Sequence, residues 1–275
     1  AYEIRLSLVG SEMCIRDSLQ ADGSASSLND QVAVEEPLEI RIGNRPFVVT
    51  MRTPGNDEEL AAGFMTSEGF TNSKVDFRKI ERCPFSPNPE NTIRIRFGDK
   101  LVEKSIESRR YSAVSSSCGV CGKTSIEAVG SSFPRIEGDL KVNRQLLFEL
   151  PERLREKQVV FDRTGGLHSA GLFDQNGKLI CLREDVGRHN ALDKAIGYAL
   201  LNEIWPLQKH MLLVSGRISF EIIQKALAAR IAIVAAVSAP SSLAIAVARA
   251  YGITLIGFLR PPMMNVYSHP QRITD

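Results

Sequence analysis

Two cysteines three positions apart, Cys118 and Cys121, stand in the run Ser115-Ser116-Ser117-Cys118-Gly119-Val120-Cys121-Gly122-Lys123-Thr124, just ahead of the helix-compatible stretch Ser125-Ile126-Glu127-Ala128-Val129. The pattern is that of a reactive sulfur site. The thiolate is the nucleophile, and a helix N-terminus and a nearby cation, here the backbone N–H groups after Cys118 and the Lys123 ammonium, raise its population. Gly119 and Gly122 carry no Cβ, so a sulfur acceptor could approach closely. The competing role is half of a zinc site. Its other half is missing: Cys83 and Cys181 stand alone, and no second C-x-x-C or closely spaced histidine pair follows. A catalytic or redox thiol pair, with no structural metal, is therefore the expectation.

A second group of polar residues sits on loops that follow apolar runs: Arg183 to Asn190, Ser215-Gly216-Arg217-Ile218-Ser219, Ser238-Ala239-Pro240-Ser241-Ser242 and Gly257-Phe258-Leu259-Arg260-Pro261-Pro262. In open α/β sheets ligands bind beyond the carboxyl ends of strands. Arg183, Arg188, Arg217 and Arg260, converging with helix N-termini, would match the oxygens of a polyphosphate. Ser219 and Ser241 also suit helix N-caps, the commoner use of such hydroxyls. His168 and His189 lie near the same rim, where a histidine is more often structural than catalytic. Zinc-dependent deamination would need H-x-E before P-C-x-x-C. Here His168 follows the cysteines, Ala170 stands at the glutamate position and Ser117 at the proline position.

These residues must be held by two kinds of scaffold. In the first half, Pro37 to Ile42 and Pro46 to Met51 alternate around a Gly43-Asn44 turn and predict a hairpin. Thr53-Pro54-Gly55 then breaks the strand. Asn56 or Asp57 is placed to cap an acidic-first helix over Glu58 to Met65, and strands follow near 77–81 and 92–97. In the second half a helix over 144–156 leads to a hairpin turning at Asn176-Gly177. Helices over 188–203, 219–229 and 241–250 then alternate with strands at 211–215, 231–235 and 253–257. Continuous apolar strands between amphipathic helices predict a mainly parallel sheet covered on both faces. The expected organisation is a β-rich subdomain over 28–139 carrying the C-x-x-C loop, and an α/β domain over 140–275. Residues 1–27 have neither clean alternation nor helical periodicity and resemble translated sequencing-adapter text, so they read as a disordered or non-native extension.

At 275 residues and 43% hydrophobic, the chain can bury a substantial core. Lysine plus arginine number 34 against 32 acids, a net charge of +2 that gives no case for general nucleic-acid binding. Five scattered cysteines suit a reducing compartment, here the cytoplasm, better than a secreted disulfide scaffold. No apolar run is long enough to predict a membrane span, and no secretory signal pattern is legible.

Several ordered motifs resemble one family. Glu35-Glu36-Pro37-Leu38, Met51 to Gly55, Glu58 to Phe64, the Cys118 to Lys123 block, Thr164 to His168 and Glu184-Asp185-Val186-Gly187-Arg188-His189-Asn190-Ala191-Leu192-Asp193-Lys194 are similar to the formate dehydrogenase accessory sulfurtransferases, FdhD, from about Val32 onward. The resemblance implies a carrier that takes persulfide sulfur from a cysteine desulfurase. It delivers that sulfur to the molybdenum or tungsten of a bis-molybdopterin guanine dinucleotide (bis-MGD) cofactor destined for formate dehydrogenase. Cys118 would hold the persulfide and Cys121 would resolve or guide it. The resemblance also implies a cytidine-deaminase-like C-terminal domain without zinc chemistry, a homodimer, and GDP as a partial mimic of the bound cofactor. The loop Gly257-Phe258-Leu259-Arg260-Pro261-Pro262-Met263 is then the expected guanine dinucleotide site: Gly257 for close approach, Phe258 for stacking, Arg260 for phosphate, and the prolines for stiffness. Pro261-Pro262-Met263-Met264 departs from the more polar loop the family leads one to expect. The alternative is a molybdenum-cofactor-binding chaperone without sulfur chemistry, and a dithiol oxidoreductase is a third possibility.

Overall fold

The computed structural model describes residues 10–71, 73–98 and 133–275. Cys118, Cys121 and Lys123 lie outside them. Strands β1 (Ser11–Leu19) and β2 (Ala25–Ala33) form an antiparallel hairpin. Next come β3 (Glu36–Ile42), β4 (Arg45–Arg52), α1 (Asp57–Ser67), β5 (Phe77–Arg82) and β6 (Thr92–Phe97). Their sheet has the order β4-β3-β6-β5, with β3 and β6 parallel and the other pairs antiparallel. Alternation decides its inner face: Leu38, Ile40, Ile42, Ile93 and Ile95 are buried against Leu60, Ala61 and Met65 of α1.

The second part runs β7 (Val142–Asn143), α2 (Arg144–Arg155), α3 (Val159–Thr164), β8 (His168–Asp174), β9 (Leu179–Asp185), α4 (Arg188–Leu201), β10 (His210–Val214), α5 (Phe220–Ala228), β11 (Ile233–Ala236), α6 (Ser242–Tyr251), β12 (Thr254–Arg260), β13 (Met263–Ser268) and β14 (Ile273–Thr274). Six strands form one sheet in the order β13-β12-β11-β10-β8-β9. The expected mainly parallel sheet is in fact mixed. Only β10–β11 and β11–β12 are parallel; β8–β9, β8–β10 and β12–β13 are antiparallel. The reason is connection length. The crossovers through α5 and α6 permit parallel return, whereas the short turns at Asn176-Gly177 and Pro261-Pro262 can only reverse the chain. No helix among the described residues is long and apolar enough to cross a membrane.

The two sheets meet through α1 and α4, whose backbones touch. A Cβ on Gly63 would fall 1.8 Å from the carbonyl oxygen of Asp193, and one on Gly197 would fall 1.8 Å from that of Glu59. No side chain fits at either position. Arg183 adds a paired contact to Glu59, 2.5 and 2.8 Å, while its guanidinium stacks 4.6 Å above the Tyr198 ring.

Residues expected to lack regular structure, 11–19 and 25–27, belong to the first hairpin. Their sequence carries no alternation because neither face is buried: Met13, Ile15, Leu19 and Leu28 remain 48–79% exposed. Pairing there rests on the backbone ladder, on a turn closed by Gln20 and Ser24, and on two exposed cross-strand contacts, Arg16 with Asp30 and Ser27 with Asp17. Deleting residues 1–27 is accordingly expected to change the melting temperature little. A drop of more than about 5 °C in thermal unfolding would contradict this.

Candidate functional site

The segment Met51 to Asn56 and the segment Glu184 to Lys194 are locked together by buried polar contacts. Lys194 and Asp185, 2.7 Å apart, are essentially inaccessible to solvent. The Lys194 ammonium also donates to the carbonyl of Thr53 at 2.8 Å, and the Thr53 N–H donates back to Asp185 Oδ2 at 3.1 Å. Gly187 N–H and the Asn190 amide donate to Asp185 Oδ1, and the same Asn190 amide donates to the Met51 carbonyl. The Thr53 hydroxyl accepts from Val186 N–H. Nearby, Arg52 makes two bonds to Asp57, 2.9 and 3.1 Å, and one to Asn91. Asp57 is therefore drawn to Arg52, and Asn56, at the N-cap of α1 with φ 56°, makes no side-chain cap bond. A second buried cluster joins the same units: Lys225 donates to Asp193, Glu68 and Ser67 at 2.8–3.0 Å. Burial alone would lower the Lys225 ammonium, but the Asp193 and Glu68 carboxylates outweigh it and hold the group above the lysine range.

These contacts build one rim at the carboxyl ends of β10, β11 and β12. The antiparallel neighbours bring their own ends there, His168 of β8 and Asp185 of β9. Ser215 N–H donates to the Ser169 carbonyl, and Ser169 N–H donates to the Ser215 hydroxyl. A Cβ on Gly216 would lie 3.2 Å from His168 Nδ1 and 3.7 Å from the Arg188 Cβ. Burial, then the charges of Arg188 and Arg217, push the His168 imidazole below its ordinary value, with Asp185 opposing them. Three of the rim residues therefore do share one electrostatic neighbourhood. Arg188 Nε is buried without a partner among the described residues. Arg183 does not join them, because Glu59 and Tyr198 already hold its guanidinium.

His189 lies deeper. Its Nε2 is 3.4 Å from the Ser219 hydroxyl and 3.9 Å from Glu221, and burial, followed by Lys225 and Arg188, pushes its pKa down to about 4 from 6.5. Ser219 stands at the N-cap of α5 but makes no cap bond, whereas Ser241 caps α6 by accepting from Ala244 N–H. Both histidines are thus neutral near pH 7 and add no positive charge to the rim. Because the folded pKa of His189 is depressed, the unfolded chain takes up its proton first as the pH falls below about 6.5. Stability should drop between about pH 6.5 and 4 by up to about 1.4 kcal/mol per pH unit. Urea midpoints at pH 7, 5.5 and 4.5 for the wild type and His189→Asn should show a steeper loss in the wild type; parallel curves would refute it.

The expected loop at 257–263 is the bulged end of β12 and its turn into β13. Its residues part company. Leu259 is fully buried in the core, so its side chain cannot reach a ligand. Gly257 is bare for packing: a Cβ there would lie 2.8 Å from Pro240 Cδ and 3.0 Å from Tyr267 Cε2. Phe258, 45% exposed, holds a left-handed φ of 52° that a bulky residue rarely adopts. Arg260 donates from Nε to the Val237 carbonyl at 3.1 Å, leaving its terminal amino groups unpaired among the described residues. Pro261-Pro262 form the exposed turn, and Met263 is 72% exposed beyond it.

Val237, His168 and Ser215 also line a cleft of about 690 Å³ between the sheet and the α2–α3 layer. Glu184 holds that layer in place, its carboxylate accepting from the N–H groups of Val160 and Phe161 at the start of α3. The motif Thr164 to His168 signalled one wall of this cleft. Nothing in the sequence signalled Gln158, a buried residue lining the same space. Cys181 is no second sulfur site, since burial pushes its thiol up to about 12.

Residues 33–274 match the FdhD/NarQ family. "Sulfur carrier protein FdhD" of Streptomyces coelicolor is 47% identical over 259 residues, covering 92% of each chain. The protein of that name from Saccharolobus solfataricus is 44% identical over 256 residues, 92% of this chain and 94% of its own. A crystal structure assigned as a formate dehydrogenase accessory protein of Desulfotalea psychrophila superposes with a TM-score of 0.78 at 26% identity, covering 96% of this chain and all of that one.

Proposed function

The chain belongs to the FdhD/NarQ family, and from that premise we propose that it is a sulfur carrier in the maturation of formate dehydrogenase. What supports the reading most is identity of 44–47% over 92% of the chain to proteins named for that role. In the mechanism we propose, the Cys118 thiolate attacks the outer sulfur of a persulfide on a cysteine desulfurase. One S–S bond forms as another breaks, and the donor cysteine leaves as a thiolate. Attack of the Cys121 thiolate on the Cys118 sulfur then releases the carried atom as sulfide and leaves a Cys118–Cys121 disulfide, which a cellular thiol must reduce before the next cycle. The acceptor is the metal of a bis-MGD cofactor held as substrate on the rim, with Arg188, Arg217 and Arg260 as the cations able to meet its phosphates. We read the C-terminal α/β unit as cytidine-deaminase-like, the assembly as a homodimer and the site of action as the cytoplasm.

The test is mass spectrometry after incubation with a desulfurase and cysteine. Cys118 should gain the mass of one sulfur atom; a chain that binds GDP but never gains sulfur would be a cofactor chaperone instead. GDP as a stand-in for half of the cofactor should bind the intact protein, and Arg260→Ala should lose about 1.5–3 kcal/mol in calorimetric titration. Unchanged affinity would move the phosphates to Arg188 and Arg217.

A further inference from the structure

We propose that the cavity between the end of α1 and the turn ahead of β11 is a binding site for a free, zwitterionic α-amino acid with an aromatic or large apolar side chain. It lies at the amino end of β11, away from the rim at the carboxyl ends, and it does not depend on the reading of that rim as a cofactor site.

The first support is the character of the walls. Phe70 comes from the β-rich unit and Trp205 from the α/β unit, and Phe133 lies between them on the lining of a space of about 590 Å³, within the usual range for small-molecule sites. Three aromatic side chains on one cavity offer an apolar ligand a large contact area. Two of the rings are also braced. A Cβ on Gly69 would fall 3.2 Å from Phe133 Cζ, so the missing side chain gives that ring its place, and Phe70 meets the buried Phe47 edge-on with centroids 5.3 Å apart. Little ordering is left for a ligand to impose.

The second is a pair of opposite charges. Asp76 and Arg230 line the same cavity, one from each unit, and neither forms an ion pair among the described residues. The Asp76 carboxylate accepts from the Thr71 hydroxyl, which orients it and leaves capacity for a further donor. Arg230 donates to the carbonyls of Pro134 and Arg135. Both acceptors are neutral, so the guanidinium charge is not balanced, and its remaining N–H groups can meet a carboxylate.

These charges decide the class of ligand. A simple cation would suit Asp76 but be repelled by Arg230, and a simple anion would meet the reverse. An α-amino acid carries an ammonium and a carboxylate on one carbon and directs its side chain away from both, toward the rings. The carbonyl end of α1, which borders the cavity at Thr66, adds partial negative charge in favour of the ammonium. Because the two charged walls belong to different units, the bound ligand ties the units together, and binding raises the stability of the folded chain.

The test titrates the full chain by calorimetry with L-phenylalanine and three fragments of it: phenethylamine, which lacks the carboxylate, 3-phenylpropionate, which lacks the ammonium, and glycine, which lacks the ring. L-phenylalanine should bind at least about tenfold more tightly than each fragment and should raise the melting temperature. Asp76→Asn and Arg230→Gln should each weaken L-phenylalanine about tenfold. The fragment series on the wild type decides the matter even where a variant folds poorly. Phenethylamine or 3-phenylpropionate binding as tightly as L-phenylalanine would make this a site for a single charge and overturn the assignment. So would the absence of L-phenylalanine binding up to about 10 mM, or wild-type affinity in both variants.

Discussion

Sulfur transfer will be abolished in Cys118→Ala and reduced less in Cys121→Ala, while both variants keep the nucleotide affinity of the wild type. The asymmetry follows from the chemistry. A persulfide needs one sulfur to be attached to, and alanine at 118 offers none, whereas sulfide can still be released from the Cys118 persulfide by an external thiol when Cys121 is gone. On the proposed reading, nucleotide affinity would instead come from the rim of the six-stranded sheet and not from the two thiols. The measurements are sulfur incorporation at Cys118, recovery of formate dehydrogenase activity and GDP titration. Equal inactivity of the two variants, or activity retained in Cys118→Ala, would refute this division of roles.

The second large effect is on stability. Lys194→Met should cost about 3–5 kcal/mol in urea unfolding, the range for removing one partner of a buried ion pair. Asp185 would keep its contacts to Thr53, Gly187 and Asn190 but lose the only cation within reach among the described residues, 2.7 Å away with neither group exposed. The double variant Asp185→Asn with Lys194→Met should recover part of the loss, because it removes the uncompensated charge. A loss below about 1 kcal/mol in the single variant would mean that the pair contributes little.

This pair shows what the sequence could and could not reveal. Both segments were visible as motifs, Met51 to Gly55 and Glu184 to Lys194, and the polar loop Arg183 to Asn190 suggested ligand contacts. The structure spends most of them on each other: Asp185, Lys194, Thr53 and Asn190 are joint residues, and of the four arginines Arg183 is one as well. Which polar groups meet is a matter of tertiary contact, which local spacing does not encode. Periodicity did place the strands and helices of both units, because burial on one face leaves an alternating or helical trace. It missed the antiparallel return of β13, whose outward residues Met263 and Val266 are exposed and blur the alternation. It missed the first hairpin for the same reason. Gln158 left no trace at all, since a single buried amide has no period.

The glycine contact between α1 and α4 has a consequence for the molecule as a whole. Gly63 and Gly197 let two backbones touch, and each helix fills the notch that the other's missing side chain leaves. Separated, each half would expose a groove with no side chain to cover it, and one of them would also hold Lys194 and Lys225 without part of their hydrogen-bonding complement. Two cores so joined are expected to melt in one transition, so that a weakness introduced in either half is borne by both.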